Sequence, residues 1–256
     1  MKILVAIKQV PQRDSVVRID ASDNWISEEN VTFETNEADA YALEESLRLK
    51  EQHGGEVIVV SVGPERVRQS MRDALAKGAD RAVHINWPNL TPLDALATAR
   101  MLASIAADEK PDLILTGLQS DDLGLGQTGV VLAELLDIPH TTIVMQVELR
   151  NGTVRVKREL ESGWFQWVDM NLPALLTIQS GINRLRYATL MGIRKAQSKE
   201  IKQVICDLSA APGRIRAGLQ RVYPALKKKN VQIIEGTPHE AAAVLVEKLR
   251  SEVRVV

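Results

Sequence analysis

The spacing of short β-prone runs and amphipathic segments over the first 140 residues constrains this chain most. Ile3–Ile7 is a continuous apolar run, the pattern of a strand buried on both faces. Val57–Val62, Arg81–Ile85 and Asp112–Thr116 read as three further strands. Between them lie helical patterns. Asn36 opens the first, with Ala40, Leu43 and Leu47 on one face and Glu44 four residues before Arg48, and Gly54-Gly55 stops it. Val67, Met71, Ala74 and Leu75 mark the second, closed by Gly78. Thr91 is expected to cap the third, running to about Ala107 with Pro92 at its first position, and Thr128–Leu136 is the fourth, ended by Pro139. Strand–helix alternation with short links predicts an α/β fold, a parallel sheet covered by helices on both faces. Ligands bind such sheets beyond the carboxyl ends of the strands, so the useful residues should follow Ile7, Val62 and Thr116.

Two stretches break the rhythm. Val16–Ile19 and Val31–Phe33 are expected to form a hairpin around a polar turn at 21–24, inserted before the first helix. After Pro139, Thr142–Leu149 and Thr153–Lys157 read as strands joined at Asn151-Gly152, followed by Trp164–Met170 and Ala174–Ile178. No helix-length segment separates these strands, so the stretch is expected to be antiparallel. Trp164 and Trp167 are three apart and should face opposite sides, one in the core and one on a partner surface. From Ser180 to Lys229 polar and basic residues interrupt any pattern, as in a mobile arm or a surface that packs on a partner. Thr237-Pro238-His239-Glu240 is a capping box that starts a last helix with Ala242, Leu245 and Leu249 on its apolar face. The expected division is a nucleotide-binding α/β domain over 1–179 and a recognition arm with C-terminal extension over 180–256.

Composition excludes several classes. With 32 basic and 33 acidic residues the net charge is −1, without the basic excess of a nucleic-acid binder. No run reaches the roughly 18 apolar residues of a membrane helix, so no direct membrane insertion is expected. The apolar start is too short for a signal-peptide core. Four His and one Cys are too few for a zinc cluster. Cys206 cannot form an internal disulfide, and a free thiol suits a reducing, cytoplasmic setting.

The most informative loop is Gly117–Gly129, which contains Asp122, Leu125, Gly126, Gln127, Thr128 and Gly129. It follows a strand and leads into a helix, where free N–H groups and the helix dipole suit an anion. Thr128 offers a hydroxyl donor. On spacing alone, an anion site and an ordinary glycine-rich turn stand equal. The loop is not a Walker A sequence, and the dinucleotide fingerprint belongs after the first strand instead. Lys8 and Asn36 are further candidates, although a solvated lysine and a helix-capping asparagine are the commoner cases. No Ser/His/Asp set or supported carboxylate pair suggests hydrolysis.

Several segments, in order, resemble electron-transfer flavoprotein beta subunits. They are Lys2–Pro11, Asn36 with Tyr41–Glu51, Ala74–Ala82, Gln127-Thr128-Gly129, Val156–Glu161 through Pro173–Thr177, and Arg186–Leu190. Ser162 stands where the family usually has glycine, Arg13 and Ala38 where aromatics are common, and Asn183–Arg186 replaces an Asn-x-Pro-Arg pattern. The resemblance implies a Rossmann-like, adenine nucleotide alpha-hydrolase-like domain. It implies a heterodimer with an alpha subunit that holds most of the FAD, and a structural AMP in this chain. It places Ala6, Asn36 and Val62 along the nucleotide and Gly126–Gly129 around its phosphate. Arg186, Tyr187, Leu190 and Arg194 would belong to the arm that docks redox partners: acyl-CoA or other dehydrogenases, and a quinone oxidoreductase or similar downstream acceptor. Such a chain is an electron-carrier subunit rather than a self-sufficient enzyme. An electron-bifurcating branch of the family holds a second FAD in place of AMP and oxidises NADH. Its members tend to have a hydrophobe where this chain has Thr128, which favours AMP here. A stand-alone adenine-nucleotide-binding regulatory module is the reading from another class, and it gives no reason for the residues beyond Pro139.

Overall fold

The computed structural model describes residues 1–20, 25–88, 93–205, 217–224 and 231–254. In chain order these residues form β1 (Lys2–Ala6), β2 (Gln9–Pro11), β3 (Arg18–Ile19), β4 (Ile26–Ser27), β5 (Phe33–Thr35), α1 (Glu37–His53), β6 (Glu56–Gly63), α2 (Val67–Lys77) and β7 (Arg81–Asn86). They continue with α3 (Ala95–Glu109), β8 (Leu113–Gly117), α4 (Thr128–Leu136), β9 (His140–Arg150), β10 (Thr153–Glu159), β11 (Phe165–Asn171), β12 (Ala174–Ile178), α5 (Leu190–Ala196), β13 (Ile201–Val204) and α6 (Pro238–Lys248).

The fold is α/β around a nine-stranded sheet in the order β11-β10-β9-β12-β8-β1-β6-β7-β13. Its centre is parallel, with β1 paired to both β6 and β8. Side-chain alternation divides the core in two. Ile3 and Val5 of β1 pack with Leu43, Leu47, Met71 and Leu75 of α1 and α2. Leu4 packs with Leu102 and Ile105 of α3 and Leu132 of α4. Apolar residues at both parities are therefore what the central strands need. The chain winds outward from β1 through β6 to β7 and then returns to β1's other side at β8. That reversal makes β1/β8 the topological switch point.

Several expectations need correction. Val31–Phe33 does not complete a hairpin with Val16–Ile19. β3 pairs with β4, whereas β5 turns back onto β2, as in Val10↔Glu34. The proposed turn at 21–24 lies outside the described residues. The third helix begins at Ala95, where Asp94 accepts the Ala97 N–H at 2.7 Å, and not after Thr91, which with Pro92 lies outside the described residues. Only β9, β10 and β11 form the antiparallel meander. β12 inserts between β8 and β9, parallel to both. Neither Trp164, 72% exposed, nor Trp167, 41% exposed, is core, although the Arg155 guanidinium stacks over the Trp167 ring.

The arm is more ordered than its sequence pattern. Asn183 donates to the Tyr41 carbonyl and to Glu45, and Arg186 grips Glu44 and Glu51 of α1. Thr189 caps α5, which packs on α2, and β13 extends the sheet beside β7. By compactness the chain forms two units, Met1–Val222 and Tyr223–Val256. In the second unit, Thr237 and Glu240 form the expected capping box of α6, and no residue of that helix is buried. Among the described residues no helix is long and apolar enough to cross a membrane. Cys206 lies outside the described residues.

Ser162, where the family resemblance places glycine, has φ 58° and ψ 27°. Left-handed backbone costs an L-residue roughly 1–2 kcal/mol, partly offset on replacement by glycine's freedom in the unfolded chain. Ser162→Gly should therefore raise unfolding stability by about 0.5–1 kcal/mol in a denaturant titration. A loss of stability would contradict the assigned turn.

Candidate functional site

At the switch point, the segments that leave β1, β6 and β8 part and enclose a crevice of about 200 Å³. All ten cofactor residues nominated from sequence line it: Ala6, Lys8, Asn36, Val62, Asp122, Leu125, Gly126, Gln127, Thr128 and Gly129. Ala6 and Val62 come from the ends of β1 and β6. Its far wall adds Trp25, Phe33, Arg66 and Trp87, which the sequence did not nominate. The Arg66 guanidinium lies 3.8 Å from the Phe33 ring centre and pairs with Glu28, so it is already engaged.

The loop from Gly117 to α4 forms the other wall. Gly126 has φ 63°, the left-handed region that favours glycine, immediately before the helix. Among the described residues no side chain caps α4, and its start at Gln127, Thr128 and Gly129 lines the crevice. The first N–H groups of a helix have no intrahelical partner and carry the positive end of its dipole. This wall therefore offers donors and a favourable potential to an anion.

Asn36 is 1% exposed and occupies the N-cap position of α1 without making a side-chain cap bond. Its amide reaches across the crevice instead, donating to the Gln119 carbonyl at 2.9 Å and accepting the Asp121 N–H at 2.9 Å. Helix capping is thus not what this side chain does. Lys8 likewise is not simply solvated. Its Nζ lies 2.6 Å from Asp122 Oδ1, closing a second bridge to the same loop. Burial raises the Asp122 carboxyl, but the Lys8 charge and hydrogen bonds from Lys8, Ser120 and the Leu123 N–H outweigh it and hold the group below its ordinary value.

Asp39 was missed. Its two oxygens accept the N–H groups of Lys8, at 2.7 Å, and Gly117, at 2.8 Å. An acidic residue in a helix's first turn is ordinary for the dipole, and nothing local in the sequence marks it as turning inward. A clue lay in Gly117. A Cβ there would sit 2.4 Å from Asp39 Oδ1, so only glycine allows the approach.

The four arm residues separate. Tyr187 is 94% exposed and Leu190 83%, and Arg194 is exposed too. Arg186 is committed to α1: Nε and Nη2 donate to Glu44 at 2.8 and 3.0 Å. Its hydrogen bonds also hold Glu51 below the ordinary carboxylate value.

Residues 23–208 match the family described as Electron transfer flavoprotein domain. Three relatives are each called electron transfer flavoprotein subunit beta. The one from Methylophilus methylotrophus is 39% identical over 96% of this chain and 97% of its own. That from Bacillus subtilis is 34% identical over the whole of both chains. The Homo sapiens relative is 35% identical over 96% of this chain and 93% of its own.

The Asn36 bridge is directly testable. Asn36→Ala leaves two backbone groups of the loop without their partner, at a cost of about 1–3 kcal/mol. It should also speed hydrogen exchange at the Asp121 amide. Unchanged protection of that amide would contradict the bridge.

Proposed function

We infer the task of this crevice from one premise: the chain belongs to the electron transfer flavoprotein beta-subunit family. It carries electrons as one half of a heterodimer with an alpha subunit and buries an adenine mononucleotide, AMP, that stabilises the subunit. The observation that carries this reading is the crevice itself. It lies at the switch point of a parallel sheet, with the uncapped start of α4 on one wall and apolar ends of β1 and β6 on another. Gln127, Thr128 and Gly129 would hold the phosphate, while Ala6 and Val62 would pack on the base and ribose. The redox chemistry belongs to FAD, held mostly by the alpha subunit.

A partner is supported by what the chain leaves uncovered. Trp164, Phe165 and Trp167 are exposed at the β11 edge, and Tyr187, Leu190 and Met191 along the arm. Apolar patches of this kind mark interaction surfaces. A stand-alone regulatory module would have no use for them. We assign the arm to docking dehydrogenases such as acyl-CoA dehydrogenases and a downstream quinone oxidoreductase, with the complex in the cytoplasm.

Thr128→Val in the heterodimer removes the hydroxyl donor at α4's start. The Kd for AMP should rise about fivefold, the equivalent of roughly 1 kcal/mol. An unchanged Kd would remove Thr128 from the phosphate site.

Leu190→Ala tests the arm. As an exposed anchor, Leu190 should slow electron transfer with the cognate dehydrogenase by about tenfold, the effect of losing roughly 1.4 kcal/mol of docking energy. The melting temperature should hold, because the roughly 2–5 kcal/mol cost of truncating a core leucine does not apply. A normal transfer rate, or a large drop in melting temperature, would defeat the docking role.

A further inference from the structure

The β1–β8 ladder ends at Val5↔Leu115. Past it the two chains take other partners: Ile7 N–H bonds the Val60 carbonyl, and Leu118 N–H bonds that of Ile178. Asp39 fills the resulting gap. Reaching in from α1, it places one oxygen on the Lys8 N–H and the other on the Gly117 N–H. The carboxylate thus stands where direct pairing stops, and the backbones it holds lead directly into Lys8 and the 118–127 loop. We propose that Asp39 is the positioning residue of the crevice: by bridging the ends of β1 and β8 it sets the width at which an adenine nucleotide is retained. This rests on the nucleotide reading above and adds the group that fixes the site's geometry.

Both oxygens of Asp39 face N–H donors, so a proton on either displaces a donor and loosens one strand end. Burial pushes the carboxyl up to about 7, against the bonds from Lys8 and Gly117, the Asn36 side chain and the Lys8 charge, which pull it down. Lys8 is the charged group acting on it. The β8 side presents the Gly117 amide, and α1 presents Asn36. The clasp is therefore intact above pH 7 and progressively lost below it.

The test uses the heterodimer with its alpha subunit, stripped of adenine nucleotide and titrated with AMP at pH 8 and pH 6. Asp39→Asn keeps the size but sets an amide NH₂ against one of the two N–H donors. Gly117→Ala attacks the clasp from the other side, driving a Cβ toward Oδ1 and against Ala38 of α1. Each should raise the Kd for AMP at pH 8 by about tenfold, and the double variant little more, because both remove one contact. Between pH 8 and 6 the wild-type Kd should rise more steeply than that of Asp39→Asn, which retains only the share due to the AMP phosphate. Wild-type affinity in either variant, or equal pH slopes, overturns the positioning role while leaving the nucleotide site in place. If either variant fails to assemble, the other decides. A wild-type heterodimer that binds no AMP overturns the nucleotide reading and this proposal together.

Discussion

A buried carboxylate between two diverging strands is the constraint on which the crevice depends. Burying a charge is costly unless hydrogen bonds replace the lost water. Asp39 meets that condition with two backbone donors, one from each strand end. The compensation is incomplete, since burial still raises its carboxyl to about 7 from an ordinary 3.8. A folded-state value above the unfolded one means the group's stabilising contribution is fully present only below about pH 4. It is lost as pH rises through about 7. At the pH where the carboxylate is charged and the clasp complete, the fold therefore carries a penalty. Binding sites commonly hold such arrangements, where local geometry is kept at some expense to stability.

The rest of the molecule makes that expense tolerable. Both faces of the central strands are sealed by helices, with Ile3 and Val5 on one side and Leu4 on the other. At the opposite end of the sheet Arg81 joins Glu56 at 2.8 Å and Glu109 at 2.6 Å, and Lys2 joins Glu109 from β1. These pairs tie the starts of β1, β6 and β7 to the end of α3. One end of the sheet is thus closed by charge pairs and the other held open by Asp39, Asn36 and Lys8. The arm is fixed by the same means. The Arg186 fork on Glu44 and Glu51 anchors its base, so that Tyr187 and Leu190 project from a held segment rather than a free tail.

Much of this was legible in the sequence because the parallel core advertises itself. Continuous runs such as Ile3–Ile7 and Val57–Val62 locate strands buried on both faces, and glycine loops locate their ends. The residues that line the crevice followed from position after those strands and from family resemblance. What failed was pairing. Ala174–Ile178 follows β11 after two residues and looks like the next strand of a meander, yet all five of its residues are buried. The apolar run Ala174-Leu175-Leu176 was the signal of a central parallel strand, whereas β11 keeps five of seven residues exposed. Val31–Phe33 was misassigned because a β-prone run does not say which strand it joins, and β2 competes for it. Asp39 stayed hidden for a different reason, and so did the bridge that Asn36, itself a candidate, makes to the loop. Both types are favoured at helix starts, so their presence there carried no information about the long-range bonds they make instead.

The central claim is that this crevice holds one adenine mononucleotide within a flavoprotein heterodimer. Counting the nucleotides released on gentle denaturation of the purified complex tests it most directly. The account predicts one AMP and one FAD per heterodimer. Two FAD without AMP would contradict the mononucleotide assignment, and FAD alone would mean that the crevice is not a nucleotide site.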